Sequence, residues 1–175
     1  MYEKKNNFLK KFGNLGRKIM LNTPRYVPKF LSTKDKKKQI RYLLKSRKMY
    51  KKGIYFSRPK VKTFKNRKSS HIENAKRMYN VKNVCPNREL ANKTKCSLQT
   101  LKKIVNKGEG AYYSSGSRPN QTPQSWGIAR LASAITGGNS SIVDYKLLSD
   151  GCSKNSRALK LATRKIKRFS RAKRR

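Results

Sequence analysis

The charge of this chain restricts its fold more than any other feature. Forty-seven lysines and arginines stand against seven aspartates and glutamates, a formal net charge of +40 on 175 residues. A compact body of that size repels itself unless a polyanion or another counter-charge surrounds it. With 35% apolar residues and a mean hydropathy of −0.93, the chain is too polar to bury a core along its whole length. The charge is also unevenly spread. Residues 1–70 hold 24 basic and 2 acidic residues, 71–153 hold 12 and 5, and 154–175 hold 11 and none. This predicts a basic N-terminal arm with one charged helix over 1–69, a helical central domain over 70–153 and a basic C-terminal helix or tail over 154–175. The arms are expected to stay extended until they meet an anion. The partner implied is nucleic acid, double-stranded DNA foremost, with an anionic membrane surface as second choice.

Three cysteines, Cys85, Cys96 and Cys152, form no C-x-x-C. Reduced thiols in an intracellular setting are expected rather than a disulfide framework. No apolar run approaches the ~18–20 residues that span a bilayer, and no secretory signal peptide is read. Residues 6–21 are basic, poor in acids and mildly amphipathic, which also describes a mitochondrial transit peptide. The same composition continues without a break to residue 70, which favours an arm.

Periodicity predicts the elements. Phe8, Phe12, Leu15 and Ile19 lie on one helical face, weakened by Gly13 and Gly16. Pro24 and Pro28 mark an extended linker. Ser32 with Asp35 reads as a capping box opening a helix to about residue 52, stopped by Gly53. Its apolar stripe is Ile40, Leu43, Leu44 and Tyr50. Residues 54–64 read as a short strand, which Pro59 restricts to an edge or loop. Further helices are expected over 71–79 (capped by Ser70), 86–94, 98–107 (capped by Ser97 and ended by Gly108) and from Thr122-Pro123 to Gly137-Gly138. A short turn over 143–148 and a basic helix opened by Ser156 complete the chain. Residues 108–121, rich in glycine and serine, read as a loop. The fold class is therefore mostly α: a small helical central domain with a helix-turn-helix-like pair, flanked by extended basic arms.

The sharpest local pattern is that pair. Ala91 would allow close packing, Lys95 stands where the turn usually has glycine, Ser97 caps the second helix, and Leu101 and Ile104 face the core. Gln99, Thr100, Lys102 and Lys103 would then lie on or beside an exposed recognition face. Gln reads adenine bidentately and Lys contacts guanine or phosphate. Plain packing of two helices is the competing explanation. In the glycine-rich loop, Tyr112 and Tyr113 would stack on bases and Arg118 would hold an anion beside backbone N–H groups, or the tyrosines would pack on the core. Bulk phosphate contact is assigned to Lys36, Lys37, Lys38, Arg41, Lys45, Arg47 and Lys48 on the charged helix. Arg164, Lys165, Lys167, Arg168 and Arg171 would do the same near the C-terminus.

No enzyme is expected. The acids form no pair at a useful spacing. His71 with Cys85 and Cys96 fits no common zinc spacing, so no metal or cofactor is assigned. A tyrosine–arginine set of Tyr112 or Tyr113 with Arg118 and Arg130 lacks the partners of strand-transfer chemistry. A buried pair of Arg130 with Asp144 is the structural alternative.

The run from Gly108, through Arg118-Pro119, Trp126-Gly127-Ile128-Ala129-Arg130-Leu131-Ala132-Ser133 and Gly137-Gly138, to Asp144 is distinctive. It resembles a family of uncharacterised small basic proteins of large double-stranded DNA viruses, the nucleocytoplasmic, algal-virus type. The resemblance extends over about residues 28–162. It implies a viral origin and a place in the virion, with an intracellular phase in host nucleus or cytoplasm during assembly, and it implies no activity. Two readings follow. One is a virion-associated nucleic-acid-binding protein that neutralises and condenses packaged DNA with low sequence specificity. The other is a minor capsid protein beneath the shell, whose arms contact capsid proteins or the inner membrane. A sequence-specific regulator is a third, weaker reading.

Overall fold

A computed structural model describes residues 26–66 and 69–173. The chain is mostly helical, with eight helices among the described residues: α1 Thr33–Tyr50, α2 Ser70–Tyr79, α3 Arg88–Thr94, α4 Leu98–Ser114, α5 Pro123–Ile135, α6 Ser140–Val143, α7 Tyr145–Gly151 and α8 Arg157–Lys173. They fall into two compact units. One comprises 26–66 with 113–121, the other 69–112 with 122–173. The helix expected around Phe8 and Ile19 and the linker proline Pro24 lie outside the described residues.

The first unit differs from an extended arm. Its helix α1 keeps half of the expected capping box: the Ser32 hydroxyl accepts the Asp35 N–H at 3.2 Å, while the Ser32 N–H donates to the Thr63 hydroxyl at 3.4 Å. It ends at Tyr50, and the turn that follows reaches Gly53, whose φ of +75° is the left-handed conformation that glycine adopts without penalty. The Ile54 N–H closes that turn on the Met49 carbonyl at 3.0 Å. The buried face takes only Leu43 from the apolar stripe. It consists of Asp35, Gln39, Leu43 and Ser46, while Ile40, Leu44 and Tyr50 are half-buried.

Those polar side chains hold the chain segments around the helix. Gln39 Nε2 donates to the carbonyls of Tyr26 at 3.0 Å and Ser117 at 3.2 Å. Ser46 Oγ donates to the Tyr113 carbonyl at 3.2 Å, and Arg58 donates to Ser46 Oγ and to Ser117 Oγ. Residues 54–64 form no strand. Their backbone is held by side chains instead: Asn120 accepts from the Val61 N–H at 2.7 Å and donates to the Val61 and Phe64 carbonyls. Buried backbone groups require such partners, and a segment whose partners are side chains adopts no ladder. Gly116, at φ +101°, lies against Leu43, which a Cβ there would meet at 2.5 Å.

The second unit has the larger apolar core. Leu90, Leu101, Ile104, Leu131, Ile135, Leu148, Ala158 and Ala162 are fully buried. Asn87 caps α3 by accepting the Leu90 N–H, so this helix begins two residues later than Pro86. Ser97 caps α4 through the Thr100 N–H. Helix α2 starts at Ser70 itself, after Ser69, which makes no side-chain cap bond. Thr122 and Ser125 form a reciprocal capping box at α5, with Pro123 in the first turn. The Tyr79 hydroxyl is buried, donates to the Ile135 carbonyl at 2.6 Å, and has its pKa pushed well up by that burial.

Two expectations are corrected here. Helix α4 does not stop at Gly108 but runs on to Ser114. Gly108 and Gly127 face each other where α4 crosses α5. A Cβ on Gly108 would meet Gly127 Cα at 2.7 Å, and one on Gly127 would meet the Val105 carbonyl oxygen at 2.8 Å. These glycines serve close packing rather than termination. The thiols are also not all reduced: Cys96 and Cys152 form a disulfide, and Cys85 is free. The turn after α3 and the end of α7 are hydrogen-bonded, Ser97 N–H to Gly151 carbonyl at 2.7 Å and Ser153 N–H to Lys95 carbonyl at 2.9 Å. That pairing brings together two cysteines 56 residues apart in sequence.

Candidate nucleic-acid interface

The surface of α1 opposite its buried face is cationic. Lys34, Lys37, Arg41, Lys45 and Lys48 recur at i, i+3, i+7, i+11 and i+14, and all are exposed. At a rise of 1.5 Å per residue they cover about 21 Å of one helix face. None is ion-paired among the described residues. Lys51 and Lys52 continue the positive charge past the helix end. Lys45 Nζ sits 4.5 Å from the centroid of the Phe56 ring, an arrangement that steadies the ammonium group without neutralising it. Lys36 and Lys38 are half-buried beside the stripe.

Arg47 is placed differently. It is half-buried and donates to the Ser115 carbonyl at 2.8 Å, so it serves the fold of the first unit rather than a phosphate. Its Nε is buried without a hydrogen-bond partner among the described residues.

Among the described residues the acid of this unit is on the buried face of α1, opposite most of the stripe. Asp35 is buried and its Oδ2 accepts from the Thr63 N–H at 2.9 Å and the Thr63 hydroxyl at 2.8 Å. The Thr63 amide and then its hydroxyl hold the carboxyl below the ordinary aspartate range, with Lys38 and Lys34 adding to the effect.

Aromatic rings gather past the end of α1. Tyr50 and Tyr113 stack in parallel with centroids 6.2 Å apart. Tyr55 meets both edge-on, at 6.0 Å from Tyr50 and 5.0 Å from Tyr113. Phe30 stacks on Phe64 at 5.8 Å. Tyr113, one of the residues expected to stack on bases, is half-buried in this cluster. Tyr55 is not among the residues the sequence singles out. Its signal is Gly53-Ile54-Tyr55, an apolar pair directly after a helix stop.

In the second unit the helix-turn-helix-like pair is formed. Lys95 takes the left-handed conformation, φ +54°, that glycine usually supplies at such a turn. Leu101 and Ile104 are buried as expected. Gln99, Lys102 and Lys103 are exposed on one face of α4, joined by Asn106. Thr100 is not on that face. It is buried, receives the Ser97 hydroxyl at 2.9 Å, and lies against Gly151 so closely that no Cβ fits there.

Three further expectations change. Tyr112 is 1% exposed and belongs to the core of its unit, so it stacks on no base. The backbone of 108–114 is helical, so its N–H groups do not form an anion cradle. Arg118 is exposed in the first unit, without that cradle. The tyrosine–arginine set also dissolves, because Arg130 is held in a bidentate pair with the buried Asp144, both bonds at 2.7 Å. Lys107 approaches the same carboxylate at 3.0 Å and donates to the Val143 carbonyl. Thus Gly108, Gly127, Arg130 and Asp144 of the distinctive central run pack the second unit.

The outer face of α8 carries a second row of exposed cations. Arg164, Lys167, Arg168 and Arg171 are exposed as expected, whereas Lys165 is half-buried. Arg157 and Lys160 extend the row toward the start of the helix; their helical spacing ahead of Arg164 is the signal in the sequence. Among the described residues no group of three His, Cys, Asp or Glu side chains is arranged to hold a metal ion. No helix of the described residues is long and apolar enough to cross a membrane.

A protein-family model described as a family of unknown function, DUF5824, matches residues 24–151, well over half of the chain. No curated protein and no solved structure matches it.

Proposed function

The chain belongs to the DUF5824 family, and from that premise we propose that it is a basic nucleic-acid-binding protein that neutralises DNA with low sequence specificity. The observation that carries this reading is the α1 stripe: five exposed cations, none in an ion pair among the described residues, on one face of a helix whose other face is fixed by hydrogen bonds. A preorganised row of this kind releases counterions from a phosphate backbone without first folding a flexible arm. The exposed face of α1 carries Lys and Arg with no Asn or Gln beside them, Gln39 being buried, which favours backbone contact over sequence recognition. We place the activity in the particle of a large double-stranded DNA virus, on the resemblance of the run around Trp126-Gly127-Ile128-Ala129-Arg130. Packaged DNA there needs its charge balanced, and a chain of +40 supplies such balance.

The test is fluorescence anisotropy with a labelled duplex across a salt series. The quadruple variant Lys37→Ala, Arg41→Ala, Lys45→Ala, Lys48→Ala should bind more weakly. The slope of log K against log salt should become shallower by about 0.9 for each phosphate that the variant no longer neutralises. Scrambling the duplex sequence should leave affinity unchanged. An unaltered slope in the variant, or a sharp preference for one sequence, would overturn the reading.

A further inference from the structure

The stripe accounts for Lys34, Lys37, Arg41, Lys45 and Lys48 of the first unit but not for Tyr55. This side chain is 68% exposed, and its neighbour Ile54 is 49% exposed. Both directly follow Gly53, so the turn that ends α1 aims an apolar pair at solvent. Burial of a tyrosine ring is ordinarily favourable, yet the described residues of the first unit leave most of this one uncovered. Its position is nevertheless well fixed. Tyr55 rests edge-on against the parallel pair Tyr50 and Tyr113. Tyr113 is in turn tied to α1 through its carbonyl, which accepts from Ser46. Lys51 and Lys52 shortly precede the ring, and Lys48 lies one turn before them on the helix.

We propose that Tyr55, on its tyrosine support, is a stacking platform for an unpaired base, so that the first unit takes single-stranded nucleic acid as well as the duplex held by its cationic stripe. The inference rests on the nucleic-acid reading above and names the ligand class for that site. A base stacked within a duplex offers no face to a protein ring, whereas an unpaired base does. The lysines near Tyr55 hold the phosphates on either side of that base. Contact with two other rings restricts the Tyr55 side chain before the ligand arrives, so less entropy opposes stacking. The charge of the neighbourhood separates this surface from an ordinary protein-docking patch, since protein interface cores are depleted in lysine.

The experiment compares the full chain with Tyr55→Ala and Tyr55→Phe. Anisotropy is read on an oligo(dT) strand of about 15 nucleotides and on a duplex of the same length, at equal salt. Tyr55→Ala should weaken binding to the single strand about tenfold. Its duplex affinity and its salt slope on either ligand should not change. Tyr55→Phe should bind the single strand like the parent, because the ring face is kept. Circular dichroism should show equal helix content in all three chains. Equal weakening on strand and duplex, or none on the strand, would defeat the stacking role while leaving the cationic stripe intact. If the parent chain binds neither ligand, the nucleic-acid reading itself fails. Weaker binding of Tyr55→Ala to phosphatidylserine vesicles, with oligo(dT) binding unchanged, would reassign the platform to a membrane surface.

Discussion

Asp35 shows how one residue can be legible in the sequence for one role while the fold uses it for another. Its spacing from Ser32 marks the start of α1, and its backbone N–H does complete that cap. Its carboxylate, however, reaches the N–H and hydroxyl of Thr63, 28 residues further on, a pairing that no local pattern announces. Those bonds, chiefly the one from the amide, lower its pKa in the folded chain. A lowered folded pKa means that the carboxylate's contribution to stability is complete above the unfolded value of about 3.9 and is lost as pH falls through the folded value. On acidification below about pH 4, the protection of the Thr63 amide, its exchange rate relative to the intrinsic rate at that pH, should therefore fall. In Asp35→Asn that amide should already be less protected at neutral pH, and its protection should change little with acid. Identical pH profiles for the two chains would show that Asp35 is not what holds this segment.

Among the elements, α4 departs furthest from what its local sequence suggests. Gly108 reads locally as the end of a helix, because glycine weakens a helix by about 1 kcal/mol relative to alanine. The structure keeps Gly108 inside α4 because Gly127 of α5 crosses there, with atoms closer than any Cβ allows. The replacement Gly127→Ala thus sets two effects against each other. Helix propensity favours alanine by about 1 kcal/mol. Overpacking disfavours it by about 1–3 kcal/mol, and the obstacle is the Val105 carbonyl, which cannot swing aside as a flexible side-chain end would. The urea midpoint should fall, and a rise would mean that the helices cross elsewhere. By contrast, the starts of α1 and α5 are legible, since Ser32 and Thr122 act on their own next three residues. The polar buried face of α1 is not, because Gln39 and Ser46 find partners 78 and 67 residues away. The Cys96–Cys152 bond is hidden for the same reason.

For the whole molecule, the balance of +40 understates how one-sided the surface is. Two of the seven acids, Asp35 and Asp144, are buried and engaged, the first by Thr63 and the second by Arg130 and Lys107. The remaining surface therefore repels itself, and its stability must depend on the ions around it. Simple salt and a polyanion relieve this differently. Sodium chloride screens exposed cations over about 8 Å at physiological ionic strength and so raises stability gradually. DNA binds the folded chain and stabilises it by about 2.7 kcal/mol at a free concentration one hundredfold above its Kd. That gain weakens as salt rises, because counterion release is the driving force. Thermal unfolding should accordingly show a melting temperature that increases with salt alone, increases further with duplex or single-stranded DNA at low salt, and converges to one value at high salt. Without that convergence, the stabilising interactions would not be with phosphate. A melting temperature unmoved by DNA at low salt would mean that the basic faces of α1 and α8 meet a different anion.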